Sequence, residues 1–388
     1  MKWNWQQADW PRFTWDASRL EKAEERFLLS AGQLVGTVKH LGGEDRDLLT
    51  VEAMSEEAIT TSRIEGEVLD RDSVQSSIRR QLGLSADHRS VKPAEQGIGE
   101  MMVHLFRHFA DPLDDSTLFA WHRMVTHGRQ DLRDIGRYRT HAEPMQVVSG
   151  RIYEPTVHFE APPSDRVPAE MAAFIEWFNQ TAPDGTDSLP TLTRAGIAHL
   201  YFECIHPFED GNGRIGRGIA EKALAQSLGQ PTLTALAATI LVRSKGYYNA
   251  LEAANKRNEI TNWLAWFAGV CLEAQLRTIA QVEFLIDKTR LLDRFRDHLN
   301  DRQKTALLRM FREGPSGFKG GLSAGNYMSI TKASRATATR DLAELVEMEA
   351  LTRTGELRHT RYYLSIPLRP VPSITITANG DIIETLAG

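Results

Sequence analysis

The sequence is poor in cysteine, with two in 388 residues, Cys204 and Cys271. That excludes a disulfide framework. Both sit in apolar helical patterns and are expected to be small buried hydrophobes. There is no run of about 18 apolar residues, so no segment is expected to cross a membrane. The opening MKWNWQQADW is too polar for a secretory signal, and the expected location is the cytoplasm. No strong excess of either charge exists: the net charge of -5 argues against a chain wholly devoted to nucleic acid, though not against one such domain. Internal repeats and low-complexity tracts are absent as well. What remains is an ordinary globular composition, 41% apolar and 25% charged, at a length that suits two or three domains.

Four of the eight tryptophans, Trp3, Trp5, Trp10 and Trp15, crowd the first fifteen residues. Such a segment is expected to pack down on another part of the chain. Helical patterns follow at 17–41 and 45–64; in the second, Leu48, Val51, Met54, Ala58 and Ile64 recur at helical spacing, and Gly66 is the natural stop. Further helices are predicted at 93–109, 116–127, 168–179, 192–205, 211–228, 244–255 and 261–286. The stretch 136–163 differs: its glycines and prolines flank short β-prone pieces, and it reads as a β-hairpin or flap. Beyond Lys288 the charge changes. Residues 301–363 hold eleven Lys/Arg against seven Asp/Glu. A helix at 302–312 precedes a helix-turn-helix at 322–329 and 334–348, with Ser334 as N-cap, and a wing with strands at 351–354 and 361–365. After Ser365 little helical pattern is left.

The chemistry concentrates in His206–Arg217, HPFEDGNGRIGR. A helix runs into a tight loop with two glycines, and a second helix begins. Glycine-rich loops that open a helix bind phosphate, because bare backbone N–H groups and the positive helix end face the anion. Arg214 and Arg217 lie one turn apart and can point at one polyphosphate. Asp210 is a hard oxygen ligand suited to Mg²⁺ beside phosphate oxygens. His206, at the mouth of the loop, can serve as a general base near neutral pH. These are the parts for phosphoryl or nucleotidyl transfer.

This segment resembles the Fic motif HxFx[D/E]GNGRxxR at every defined position: His206, Phe208, Asp210, Gly211, Asn212, Gly213, Arg214 and Arg217. The resemblance extends over roughly residues 96–275 and includes Gly136-Arg137-Tyr138-Arg139, Ala161-Pro162-Pro163 and Tyr247-Tyr248. It implies a protein adenylyltransferase that moves AMP from ATP onto a Ser, Thr or Tyr hydroxyl of a target protein. In that reading His206 deprotonates the hydroxyl and Asp210 holds Mg²⁺ against the α- and β-phosphates. The backbone of Gly211, Asn212 and Gly213 forms the anion hole, and Asn212 also reaches the α-phosphate. Arg214 and Arg217 bind the β- and γ-phosphates. Phe208 is a core anchor. Tyr248 and Asn255, seven apart on one helix face, hold adenine, as similar proteins do with a YYxxLxxAN stretch.

The segment Thr61-Ser62-Arg63-Ile64-Glu65-Gly66 resembles the inhibitory [S/T]xxxE[G/N] motif of the same family. It implies that Glu65 pairs with Arg217 and occupies the γ-phosphate site. The Trp-rich N-terminus resembles the extension found on many Fic proteins of this arrangement. The expected fold is mainly α: a helical Fic core with a small β-hairpin flap (96–288), an N-terminal regulatory region (1–95), a winged helix-turn-helix (289–365) and a tail (366–388). The expected partners are the hydroxyl-bearing target and, by self-modification, the chain itself; a homodimer is also open to it. The winged helix can bind DNA, through Lys332, Arg335 and Arg340, or protein. The alternative functions are a DNA-binding regulator, or a Fic enzyme that removes AMP or transfers UMP or phosphocholine.

Overall fold

The computed structural model describes all residues except 1, 40–41, 88, 152–153, 232–233, 315–316, 319, 368 and 387–388. Two compact units divide the chain. One runs to Gln275 and takes in the segment from Ser373; the other covers Leu276–Pro372. Fourteen α-helices and six strands occur among the described residues.

The first unit is built around α7 (Thr191–Ile205), buried on every side. A helix with apolar residues on every side belongs inside a protein, and the polar Arg194 and His199 are buried with them. It packs against α8 (Asn212–Leu228), which also lies largely in the core. α1 (Glu21–Lys39) supplies the cap that α7 lacks locally: the Glu24 carboxylate accepts from the Leu192 and Thr193 N–H groups at 2.9 and 2.8 Å. Orphan N–H groups at a helix start need such an acceptor. α2 (Gly43–Ile64) ends as expected, with Gly66 at φ 82°. The Trp-rich start folds down: Trp5 Nε1 donates to the Glu160 carbonyl at 2.7 Å and Trp10 Nε1 to Glu170 Oε2 at 2.8 Å. Cys204 and Cys271 are both free and buried.

Sequence pattern does not reveal α3 (Arg71–Leu82) or α9 (Leu236–Val242). In α3 the buried apolar residues are Val74 and Ile78 alone; Ser73, Ser76 and Ser77 fill the rest of the face, so the helical period is carried by serines. α9 is seven residues long, too short for a period to stand out. α4 (Pro93–Arg107), α5 (Asp115–Val125), α6 (Val167–Gln180), α10 (Ser244–Ala254) and the start of α11 (Thr261–Arg294) match the expected helices within a few residues. The flap is present as β1 (Gln146–Arg151) paired antiparallel with β2 (Glu154–Glu160). Its register shifts between Val147 and Val148, which leaves His158 as the extra residue of a bulge.

The second unit holds α12 (Asp301–Phe311), α13 (Ala324–Thr331), α14 (Arg335–Glu347) and the antiparallel hairpin β3 (Leu351–Thr354) and β4 (Arg361–Leu364). Ser334 caps α14 by accepting from the Thr337 N–H at 3.3 Å. Leu307, Leu322, Tyr327, Leu342 and Leu345 form its core. The last segment, which the sequence reading leaves unpatterned, is a hairpin of β5 (Ser373–Ile376) and β6 (Ile382–Thr385). Ile374 and Ile376 are its buried positions, a period of two over too few residues to stand out beside three prolines.

Candidate active site

His206 lies just beyond α7 with φ 51° and ψ 60°, a left-handed conformation that a side chain bearing Cβ avoids. Backbone of this kind costs on the order of 1–3 kcal/mol and persists only where its surroundings impose it. Arg139 imposes it. This buried guanidinium donates through Nε to the His206 carbonyl at 2.8 Å, through Nη1 to Ser164 Oγ at 2.9 Å and through Nη2 to the Pro162 carbonyl at 2.5 Å; its own N–H bonds the Pro207 carbonyl at 2.9 Å. The Gly-Arg-Tyr-Arg and Ala-Pro-Pro runs are thus two sides of the clamp that holds the histidine. Burial and the neighbouring Arg139 charge pull the His206 pKa down to about 4. The ring is therefore neutral at pH 7, with a lone pair for a proton.

The loop that follows is tied to itself. Asn212 Oδ1 accepts from the Phe208 N–H at 3.0 Å and Nδ2 donates to the Phe208 carbonyl at 2.8 Å. Its carboxamide oxygen is thereby occupied by the loop, leaving one N–H of the amide beyond this pairing. Phe208 is fully buried and stacks on His122 with centroids 4.2 Å apart, as an anchor should. Gly211 starts α8 at φ 81°, and a Cβ there would come within 2.8 Å of Val125 Cγ2.

Above the first turn of α8 lies Glu65. Its Oε1 accepts from Arg217 Nη2 at 2.7 Å, and it stands 2.1 Å from where a Cβ on Gly213 would be. A carboxylate thus sits at the positive end of a helix, against an arginine whose side chain is 2% exposed. Arg217 is fixed further by Thr61, through Nε to Oγ1 at 2.7 Å and Nη2 to the carbonyl at 3.0 Å. Arg214 has its own carboxylate, Glu67, with Nη1–Oε2 at 2.9 Å. Glu67 is a residue that sequence reasoning missed; the Glu-Gly-Glu spacing was its only signal.

His206, Asp210, Gly211, Asn212, Gly213, Glu65, Tyr248 and Asn255 border one cavity of about 560 Å³, floored by α8 and α10 and edged by the flap. That is space for a nucleotide. Arg214 and Arg217 do not line it. They border instead a small cavity of about 40 Å³ with Glu57 and Glu221. Tyr248 is half exposed, with its hydroxyl 3.4 Å from the Ile64 carbonyl, while Asn255 caps α10 and accepts from Cys204 Sγ at 3.5 Å. Glu203 also borders the cavity, 3.8 Å from His206 Nδ1, and burial together with the Glu65 charge pushes its pKa up to about 8.

Asp210 pairs with Arg129 and, at 3.5 Å, with Arg214 Nη2. Among the described residues no three His, Cys, Asp or Glu side chains converge as a metal cage. A partly buried carboxylate bordering a nucleotide-sized cavity fits Mg²⁺, which is ordinarily held by one or two carboxylates plus substrate phosphates.

Residues 112–224 match the model of the Fic/DOC family, and residues 3–84 match a domain of unknown function (DUF4172). Over 169 residues the chain is 26% identical to protein adenylyltransferase fic-1 of Caenorhabditis elegans, covering 44% of this chain and 29% of the relative. The same protein of Caenorhabditis briggsae is 28% identical over 148 residues, covering 38% and 25%. The chain spans less than a third of the length of these relatives. A solved Fic family protein from Desulfovibrio desulfuricans G20 superposes with a TM-score of 0.50 at 22% identity, covering 91% of this chain and 98% of that one, which is a likeness of fold.

Proposed function

From a chain that carries a Fic domain at residues 112–224, we infer a protein adenylyltransferase that transfers AMP from ATP to a hydroxyl side chain and is held inactive by its own Glu65. The observation that carries the reading is the 2.7 Å pair between Glu65 and Arg217 over the bare face of Gly213. An anion site at a helix start, already filled by a carboxylate of the same chain, is both a phosphate cradle and its plug.

With ATP in the cavity, the α8 backbone holds the phosphates, and the two arginines, which do not line the cavity while paired, join once Glu67 and Glu65 leave them. Arg217 can reach a γ-phosphate only when Glu65 gives way. Neutral His206 accepts the proton of the incoming hydroxyl at an imidazole nitrogen, and the oxygen attacks the α-phosphorus as pyrophosphate departs. Arg139 keeps the ring aimed. Asp210, once released by Arg129, would hold Mg²⁺, which would supply positive charge beside the phosphates. The bulged flap offers an edge on which an extended target segment can pair.

ATP labelled separately at the α- and γ-positions tests this with wild type and Glu65→Gly. Protein carrying the α-label, more of it in the variant, is expected. Label from the γ-position means kinase chemistry. No transfer by either protein to itself or to a lysate refutes AMP transfer, and faster loss of AMP from a modified protein assigns the reverse reaction.

A second reading concerns the unit Leu276–Pro372, which we take as a winged helix that binds duplex DNA. Its support is a set of exposed cations: Lys332 just before α14, Arg335 and Arg340 on it, and Arg353 and Arg358 on the β3–β4 hairpin. Phosphate contacts need such cations on one element and its wing.

A further inference from the structure

The flap carries a second proton-handling array, apart from His206. The bulge that makes His158 the extra residue of β2 sets its ring between the two flanking elements. His158 Nε2 lies 2.6 Å from Ser149 Oγ on β1, and His158 Nδ1 lies 3.0 Å from Glu252 Oε2 on α10. Lys256 holds the other oxygen of Glu252 at 2.9 Å. Hydrogen bonds from Lys256 and His158 keep the Glu252 carboxyl below its usual range, hence ionised. An ionised carboxylate only accepts, so the imidazole proton is assigned to Nδ1. Nε2 then presents a lone pair, and the Ser149 hydroxyl donates to it. This is the order nucleophile, base, orienting acid that activates a serine. Ser149, His158 and Glu252 all border the cavity that His206 and Gly213 border.

A plain tether between flap and α10 would need one hydrogen bond. It would not need a bulge that aims an imidazole at a serine while a carboxylate selects its tautomer. The serine is exposed on the flap and faces the space in which a nucleotide would lie.

We propose that Ser149 is a self-modification site, an acceptor of AMP in cis with His158 as its base. The inference rests on the reading that this cavity transfers AMP. Ser149 Oγ forms a bond to the α-phosphorus of ATP. The bond from that phosphorus to the bridging oxygen breaks, and pyrophosphate leaves with the electron pair. The serine proton passes to His158 Nε2, and the imidazolium is stabilised by Glu252. The product has lost the Ser149–His158 hydrogen bond and bears AMP on the flap edge that a target segment would use.

The test uses the full chain with Glu65→Gly, to free the γ-phosphate site, and Mg-ATP. Peptide mass spectrometry is expected to find AMP on Ser149, and not on its cross-strand neighbour Thr156. The adduct should appear in a first-order process whose rate constant is unchanged by about tenfold dilution. In the same background Ser149→Ala should lose it and Ser149→Thr should keep it. His158→Gln should slow it about 100-fold or more, while ATP binding measured by equilibrium dialysis stays within about twofold. AMP found only on other residues, or labelling undiminished by Ser149→Ala, overturns the proposal. Loss of ATP binding in His158→Gln alongside the loss of labelling reduces the array to a tether and also overturns it. Label on lysate proteins with none on Ser149 sinks this inference and leaves the proposed function standing; no AMP on any protein sinks both.

Discussion

Glu65 and Arg217 lie 152 residues apart in sequence and 2.7 Å apart in space, the carboxylate 32% exposed and the guanidinium 2%. A pair so unequally buried has one partner that can leave and one that cannot. The departing side is the carboxylate, on the residue that caps the end of α2 just before a glycine turn. Removal of its charge is expected to release the γ-phosphate site. Glu65→Gln keeps shape and should raise AMP transfer; Glu65→Gly should raise it at least as far. A shift of about 100-fold needs only about 2.7 kcal/mol of differential interaction, within reach of a charge-assisted pair. Transfer by both variants at the wild-type rate would show that Glu65 is not the brake.

Glu67 on Arg214 makes the plug two-pronged. Both carboxylates leave on one short segment, so their effects should be coupled rather than independent. Glu67→Gln alone is expected to raise transfer a few-fold, since Arg214 keeps its bond to the Val125 carbonyl at 3.1 Å. In a double-mutant cycle with Glu65→Gln the gains should fall short of the product of the single effects. Strict multiplication would mean that the two residues act separately.

His206→Ala should lower transfer by about 10²–10⁴, the usual loss of a general base, while ATP affinity changes little. The comparison to make is turnover in the Glu65→Gly background against nucleotide binding by the same protein. Arg139→Met, which frees the loop carrying His206, should reduce turnover and also lower the melting temperature. A melting temperature unchanged by Arg139→Met would deny that this guanidinium holds the loop.

Three histidines, His122 and His199 fully buried and His206 partly so, set a pH dependence of stability. Burial draws His122 and His206 down to about 4 and His199 to about 3, against 6.5 for an ordinary histidine. At these three sites the unfolded chain binds more protons than the folded one between pH 6.5 and 4, which lowers stability as pH falls through that window, whereas Glu203, held protonated in the fold up to about pH 8, acts in the opposite sense above 4.5. With Glu203→Gln removing that opposition, the urea midpoint should be clearly lower at pH 5 than at pH 7. His199→Gln, able to keep a bond to the Tyr247 hydroxyl now 2.8 Å away, should flatten the slope. A midpoint independent of pH across this range would contradict the burial argument.

Binding of duplex DNA by the second unit should be steeply salt-dependent. For about five phosphate contacts, affinity should fall several-hundredfold between about 50 and 200 mM salt. In gel shifts, Arg335→Ala and Arg340→Ala should each weaken binding across all sequences. A duplex that fails to shift at low salt would remove the nucleic-acid reading.

The sequence by itself determined the parts that are local. His206, Asp210, Gly211, Arg214 and Arg217 fall within twelve residues, where helix geometry and glycine backbone dictate what can meet. Gly66 as a stop and the hairpin around 146–160 were legible for the same reason: turn chemistry acts over a few residues. The tertiary structure alone decided what stands against those parts. Arg139 reaches the His206 carbonyl across 67 positions, Glu67 reaches Arg214 across 147, and His158 reaches Glu252 across 94. No periodicity records such pairings, because each is created by packing of helices whose apolar faces are indifferent to which charged residue they bring together. The state of His206 is of the same kind. Its residue type names a base, while burial and the charge of a fixed guanidinium keep it neutral and ready for a proton.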